Sequence, residues 1–350
     1  MTQAAPRQEA PPIDLLRLGA WLEGNVAGFS GARSVRRLAG GNSNPIWRLE
    51  AGSGVYVLRT QPGGELLQSA HALDREYRIL SALIPSAIPV APVRAICDDR
   101  SVIGVQFYLM DFVDGVVNRN PQLADVPPAR RCGVFDAALD MLAAIHRTDY
   151  AALGLGDFGR PGHYFERQLH RWTKQVATAL PEGSPPLDAL AGALRDEMPA
   201  DDRAPVLLHG DARIDNLMFE RGGERVLAVL DWELSTLGSP LADLGQFLAV
   251  QALPPDYLLP GLAGLDRAAL GIPTEEEQTR RYFAASGQSP ADMRFYKAFA
   301  MFRQAAMSAG LKRRALLGTA LTDEALAFGN SLSVFADLGL EMLRGRSSST

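Results

Sequence analysis

Cysteine, lysine and long apolar runs are what this 350-residue chain has least of. Its two cysteines, Cys97 and Cys132, stand far apart and outside any metal-ligand spacing. That excludes a disulfide framework and a zinc module, and it points to a reducing, cytoplasmic setting. No apolar run approaches the ~20 residues needed to cross a bilayer, so no membrane partner is expected. The start, Met1 to Pro12, is polar and proline-rich and lacks the apolar stretch of a secretory leader. A net charge of −5 argues against nucleic acid held by bulk electrostatics. Lysine occurs only at Lys174, Lys297 and Lys312, so any cation gripping a phosphate before Lys174 must be arginine. What is plentiful is apolar residue: 47% hydrophobic over this length supports a large core and excludes a disordered chain.

The first ~110 residues read as strands with one helix. Val35 to Leu38 and Ile46 to Glu50 are strand candidates on either side of a glycine- and asparagine-rich turn, Ala39 to Pro45. Val55 to Thr60 is a third strand, ended by Pro62-Gly63-Gly64. Leu73, Tyr77, Leu80 and Ile84 recur at helical spacing, so a helix is expected from near Ala70 to before Pro85. Val102 to Phe112, rich in β-branched and aromatic residues, reads as one strand. From Pro127 the pattern turns helical, starting at a Pro127-Pro128 pair that suits a helix start. Val206 to Leu208, then a hairpin of Leu217 to Phe219 and Val226 to Leu230 around Gly222-Gly223, interrupt the helices before they resume to about Leu343. A strand-rich front and a helix-rich back predict an α+β chain of two lobes with a cleft between them.

Two motif matches are decoys. Gly154-Leu155-Gly156-Asp157-Phe158-Gly159 spells G-x-G-x-x-G, but a helix precedes it and Pro161-Gly162 follows, the reverse of a dinucleotide turn. It also contains Asp-Phe-Gly, upstream of the candidate catalytic acid and so in the wrong order for a protein kinase. It reads as a loop. No P-loop pattern occurs anywhere in the chain.

The informative segment is Leu207 to Phe219, which contains His209-Gly210-Asp211-Ala212-Arg213-Ile214-Asp215-Asn216. An acid five residues before an amide, in a loop between apolar strands, suits phosphoryl transfer to a hydroxyl. The Asp takes the hydroxyl proton and the Asn oxygen ligates magnesium. A second acid must stand close by, and Asp231, ending the next strand of the hairpin, is placed to supply it.

H-G-D-x-x-x-x-N followed by Asp231-Trp232-Glu233 resembles the aminoglycoside phosphotransferase and choline kinase-like family, whose fold is that of the protein kinases. Within it, Leu208 to Asn216 and Leu230 to Gly238 resemble the subgroup found as the kinase-like domain of acyl-CoA dehydrogenase family members 10 and 11. Tyr56-Val57-Leu58-Arg59 and Ser69 to Tyr77 fit that subgroup too. The resemblance runs from about Leu38 to Leu248 and weakens afterwards. It implies a protein-kinase-like fold with a lobe at 14–110, a helical lobe at 111–343, and tails at 1–13 and 344–350. It implies ATP and Mg2+ as cofactors, Asp211 as catalytic base, Asn216 and Asp231 as metal ligands, and Arg213 as a cation near the transferred phosphate. The loop Gly40 to Asn44, with Gly41, Asn42, Ser43 and Asn44, matches the phosphate-covering loop, and Phe107 to Phe112, including Met110, the segment on which adenine packs. The usual strand lysine is replaced by Arg59, with Glu76 as its partner, which keeps the charge but changes its reach.

For the acceptor, His163, Arg167, His170, Arg171 and Lys174 fall along one face of a helix whose only acid is Glu166. A solvated surface would produce such a stripe. So would a site for an anionic acceptor such as a coenzyme A thioester, which the dehydrogenase-fused relatives imply, with Arg167 and Arg171 as its contacts. Asp243 is expected to hydrogen-bond the catalytic-loop backbone, His209 to brace the loop, and Trp232 to pack. The reading is an ATP-dependent phosphotransferase acting on a small-molecule hydroxyl. An antibiotic kinase and a catalytically silent nucleotide-binding regulator are its alternatives.

Overall fold

A computed structural model describes residues 13–38, 44–62, 73–200, 203–317 and 324–345. Compact packing divides the chain into two units, Met1–Asp114 and Gly115–Thr350.

In the first unit, α1 (Leu15–Asn25) begins at Asp14, whose carboxylate accepts the amides of Leu16 and Arg17 at 3.1 Å. This helix was absent from the sequence expectation, although the Asp14 cap and the Leu18–Leu22 spacing were its signal. Strands β1 (Ala32–Arg37), β2 (Ile46–Ala51) and β3 (Gly54–Thr60) follow as an antiparallel meander. Helix α2 (Leu73–Leu83) and strand β4 (Val93–Cys97) come next. The strand expected over Val102 to Phe112 is corrected: a helical turn, α3 (Arg100–Ile103), precedes β5 (Phe107–Asp111). Asp99 caps that turn on the Ser101 amide at 2.8 Å, and Gly104, at φ 86°, ends it. Local capping overrides the β propensity of Val102 and Ile103, which are spent on the core instead. The sheet order is β1-β2-β3-β5-β4. Leu18, Leu22, Leu49, Leu58 and Phe107 form the dry layer between α1 and one sheet face, with Trp21 set edge-on to Phe107.

In the second unit, β6 (Val116–Val117) precedes α4 (Pro128–Arg147), α5 (Tyr164–Ala179) and α6 (Pro185–Asp196). The short strands β7 (Val206–Leu208), β8 (Leu217–Phe219), β9 (Val226–Val229) and β10 (Thr236–Gly238) carry the motif loops. They form two small antiparallel sheets, β6-β8-β9 and β10-β7. The segment Gly154–Gly159 is a run of turns, as read. Helices α7 (Pro240–Ala249), α8 (Arg267–Leu270), α9 (Glu275–Ser286), α10 (Arg294–Leu316), α11 (Glu324–Gly329) and α12 (Leu332–Leu343) complete the chain.

All ten residues of α7 are buried. It packs on α10, which also meets α5, α6, α11 and α12. Phe165 on α5 sits against Phe295, Tyr296 and Phe299 of α10 with ring centroids 5.1–5.4 Å apart. The α7–α10 approach needs Gly245, because a Cβ there would lie 2.6 Å from the Tyr296 carbonyl oxygen, backbone that cannot rotate away. Gly245→Ala should therefore destabilise the protein by about 1–3 kcal/mol. Equilibrium urea unfolding measures this, and an unchanged midpoint would show that the two helices can part without cost.

Candidate active site

The loop between β7 and β8 is built backwards from its anchors. Gly210 has φ 87°, and a Cβ there would run into the Leu234 carbonyl. Only glycine fits, which explains its place in the motif. The Asp243 carboxylate, fully buried on α7, accepts the His209 amide at 2.7 Å and the Gly210 amide at 2.9 Å. The Arg303 guanidinium on α10 donates to the Gly210 carbonyl. The His209 ring spans the two motif loops: Nε2 donates to Leu230 O at 2.7 Å, and Nδ1 accepts the Asp211 amide at 3.2 Å. Ser235 Oγ donates to Leu208 O, and Trp232, almost fully buried, donates Nε1–H to Val229 O. His209, Asp243 and Trp232 thus take the bracing and packing places read from the sequence.

This frame presents the polar cluster. The Asn216 side-chain amide donates to Asp211 O at 2.8 Å and to Asp211 Oδ2 at 3.1 Å. Gln246 Nε2, one turn beyond Asp243, donates to Asp211 Oδ1 at 3.2 Å. Arg213 lies between carboxylates, with Nε 3.4 Å from Asp211 Oδ2 and Nη2 3.2 Å from Asp215 Oδ2. Burial works to lower the Arg213 pKa, but Asp211, Asp215 and Asp231 together hold it above its usual value. Burial pushes the Asp215 carboxyl up, against the pull of Arg213. Asp231 takes the left-handed conformation, φ 62° and ψ 64°, uncommon for any residue but glycine. Its loop is tied to that of Asn216 by the Leu230 N–H to Asn216 O bond, 2.8 Å, and by the Leu217–Val229 pairing.

The donor set fits a magnesium ion completed by phosphate oxygens and water. Asn216 spends its NH2 on Asp211, which turns its amide oxygen elsewhere, and Asp231 adds a carboxylate on the neighbouring loop. Among the described residues no group of three or more His, Cys, Asp or Glu is arranged to hold a metal. Magnesium, which binds through few protein ligands, suits a donor set of one amide oxygen and one carboxylate.

In the first unit, Arg59 Nε on β3 lies 3.0 Å from Glu76 Oε2 on α2, both side chains buried. The expected arginine–glutamate pair is formed. Met110 is half-buried on β5, opposite Val57. Asn44 is buried, whereas Gly41, Asn42 and Ser43 lie outside the described residues. On α5, Arg171 and Lys174 are exposed, but Arg167 is occupied: its guanidinium donates to Arg160 O at 2.6 Å and Pro161 O at 3.2 Å. His163 stands just outside the helix, in a left-handed conformation, so the basic face is shorter than its spacing implied.

The sequence reading missed Gln246, Arg303, His146 and Tyr282. For Gln246 the signal was present: one of two polar side chains in the otherwise apolar Pro240–Ala249 helix. The others had none, because their motif partners are 93 or more residues away.

Residues 34–296 match the phosphotransferase enzyme family, whose short name is APH. The chain belongs to that family. It is 38% identical over 340 residues to mouse acyl-CoA dehydrogenase family member 10, covering 96% of this chain and 32% of that protein. To chicken acyl-CoA dehydrogenase family member 11 it is 38% identical over 317 residues, covering 89% and 41%. The chain thus spans about a third to two fifths of the curated relatives it matches. A solved structure from Ralstonia eutropha JMP134, assigned to the aminoglycoside phosphotransferases, is 41% identical with TM-score 0.83, covering 95% of this chain and 99% of that one. Spectinomycin phosphotransferase, solved with ADP and spectinomycin, shares the fold at TM-score 0.61 and 11% identity, over 95% and 99% of the two chains. The kinase-like α+β fold is therefore that of the APH phosphotransferases. No described helix is long and apolar enough to cross a membrane.

The Asp243 linkage has a sign. Burial alone would raise its carboxyl, but the hydrogen bonds from His146 and the Gly210 amide outweigh that and hold it below the usual range. A carboxyl lowered on folding adds stability above the unfolded pKa, about 3.9, and loses it as pH falls through the folded value. The stability gap between wild type and Asp243→Asn should therefore be full at neutral pH and shrink below pH about 4. Urea unfolding across that range checks it, and a gap independent of pH would contradict the ionised assignment.

Proposed function

We propose that this chain transfers the γ-phosphoryl group of ATP to the hydroxyl of a small anionic molecule, a hydroxylated acyl-CoA being the favoured class. The observation that carries the reading is the Asp211 carboxylate, oriented at once by Asn216, Gln246 and Arg213 on a loop anchored from behind. A carboxylate held by two hydrogen-bond donors and an ion pair is restrained from swinging away from an incoming hydroxyl, and positioning is most of what this chemistry asks of a protein.

In this reading the acceptor hydroxyl gives its proton to Asp211 as its oxygen bonds to phosphorus and the bond to the ADP oxygen breaks. Arg213, half-buried among carboxylates, keeps its charge and faces the developing negative charge on the transferred group. Magnesium, bound by Asn216 Oδ1, Asp231 and the nucleotide oxygens, would neutralise the charge on the phosphates. Arg59, oriented by Glu76, serves the nucleotide phosphates in the place where related kinases keep a lysine. Gly41, Asn42, Ser43, Asn44 and Met110 complete the nucleotide contacts.

The relatives' dehydrogenase names and the exposed cations of α5 together favour a coenzyme A thioester. An aminoglycoside, itself a polycation, would be repelled by the same face. The full set of Asp211, Asn216 and Asp231 disfavours a silent regulator, which would be free to lose one. The cysteine usage keeps the proposed setting cytoplasmic.

A screen for ADP release over hydroxyacyl-CoAs, sugars, amino alcohols and aminoglycosides tests the class, and ADP release with aminoglycosides alone would overturn the acyl-CoA reading. With any acceptor so found, Asp211→Asn should keep Mg·ATP affinity and lower kcat by about 10²–10⁴-fold. Near-wild-type turnover would remove Asp211 as the base. Because Arg167 is held by its own loop, the acceptor test falls on Arg171 and Lys174. Reversing both to Glu should raise the acyl-CoA KM by about tenfold and leave that of ATP unchanged. Equal KM values for wild type and variant would make α5 ordinary solvated surface.

A further inference from the structure

Behind the catalytic loop, and untouched by any role assigned so far, a line of buried polar groups leads away from Asp243. His146 on α4 places Nε2 3.2 Å from Asp243 Oδ2, and its Nδ1 is 2.6 Å from the hydroxyl of Tyr282 on α9. The His146 and Asp243 side chains are wholly buried, as is Tyr282. Ser286, one turn further along α9, is buried and accepts the Gln288 amide at 3.3 Å.

Chemistry orients this chain in one direction. Asp243 is an ionised carboxylate already accepting two loop amides, so His146 must present an N–H to it. In a neutral ring Nδ1 is then an acceptor, and the Tyr282 O–H must donate to it. Burial raises the Tyr282 hydroxyl pKa, which keeps that proton in place. Donors thus run from Tyr282 on α9 through His146 into Asp243. Asp243 Oδ2 is shared between His146 and the His209 amide, so a change in the pull on one side is felt on the other.

We propose that Tyr282 is a positioning residue for phosphoryl transfer: its O–H holds His146 Nδ1, keeps the ring turned with Nε2–H on Asp243, and so sets the loop that carries Asp211. The inference rests on the phosphotransfer reading above for its kinetic consequence, but not for its structural one. The charged and titratable groups around the chain are Asp243 and Arg203, which act on Tyr282, and His209, which acts on Asp243. Arg147 also ties α9 to α4, donating to the Ala285 carbonyl. None of these supplies a second donor to His146 Nδ1 among the described residues, so the Tyr282 O–H has no understudy there.

Tyr282→Phe removes that one O–H and keeps the ring that packs edge-on to His146 and Phe283. Long-range proton–nitrogen correlation spectra of the whole protein read the His146 tautomer directly. Wild type is expected to show neutral imidazole with the proton on Nε2. A proton on Nδ1, or an imidazolium, in the wild-type spectrum at pH 7.5 overturns the proposal without any variant. In Tyr282→Phe the Nδ1 signal should move further from the protonated range as its hydrogen bond is lost, and exchange of the His209 and Gly210 amides should quicken about tenfold. ADP release from Mg·ATP, with water as the only acceptor, should fall about tenfold in kcat with the ATP KM unchanged. A Phe variant with the wild-type Nδ1 signal, amide exchange and kcat overturns the positioning role. Absence of ADP release from wild type, with the two spectroscopic changes present, would instead strike the phosphotransfer reading and leave Tyr282 as the residue that sets the loop.

Discussion

One buried carboxylate bears the geometry of the second unit's site. Asp243 lies without solvent contact on a helix that is itself wholly buried, where an unpaired charge would be prohibitively costly. Its burial is offset by three donors, two of them backbone amides of the loop that carries Asp211. The loop therefore takes its shape from α7 rather than from its own sequence. Arg303 holds the same loop from its carbonyl side, so Gly210 is gripped at both its N–H and its C=O. Both anchors stand on helices locked by aromatic packing and the Gly245 contact, so the loop is as rigid as the core beneath it.

In front of that frame the electrostatics run the other way. Arg213 is one cation among Asp211, Asp215 and Asp231, a local excess of negative charge. A divalent cation would offset that excess. Arginine is well suited to the central place, since its planar fork reaches two carboxylates at once, as Nε and Nη2 do here. The same preference recurs at Arg59, paired with Glu76 in a chain that has three lysines, none of them before Lys174.

Along α5 the basic residues differ in availability: Arg171 and Lys174 are exposed, whereas Arg167 closes its own loop on the Arg160 and Pro161 carbonyls.

Short-range chemistry was legible in the sequence. The spacing from Asp211 to Asn216 spans one tight loop, and Asp231 is set by a hairpin of known register, so a few residues of chain fix their proximity. The meander β1-β2-β3 and helices α2 and α4 followed from alternation, turn residues and helical spacing. The Val102–Phe112 strand did not, because a capped turn at Asp99 outcompeted side-chain preference, and the part played by Arg167 depended on a loop whose path no spacing reveals. Gln246, Arg303, His146 and Tyr282 reach the site or its anchor from helices whose motif partners lie 35 to 136 residues away along the chain. Their meeting is decided by which helix faces bury against which. That choice minimises exposed apolar surface over the whole unit, and no local segment contains it.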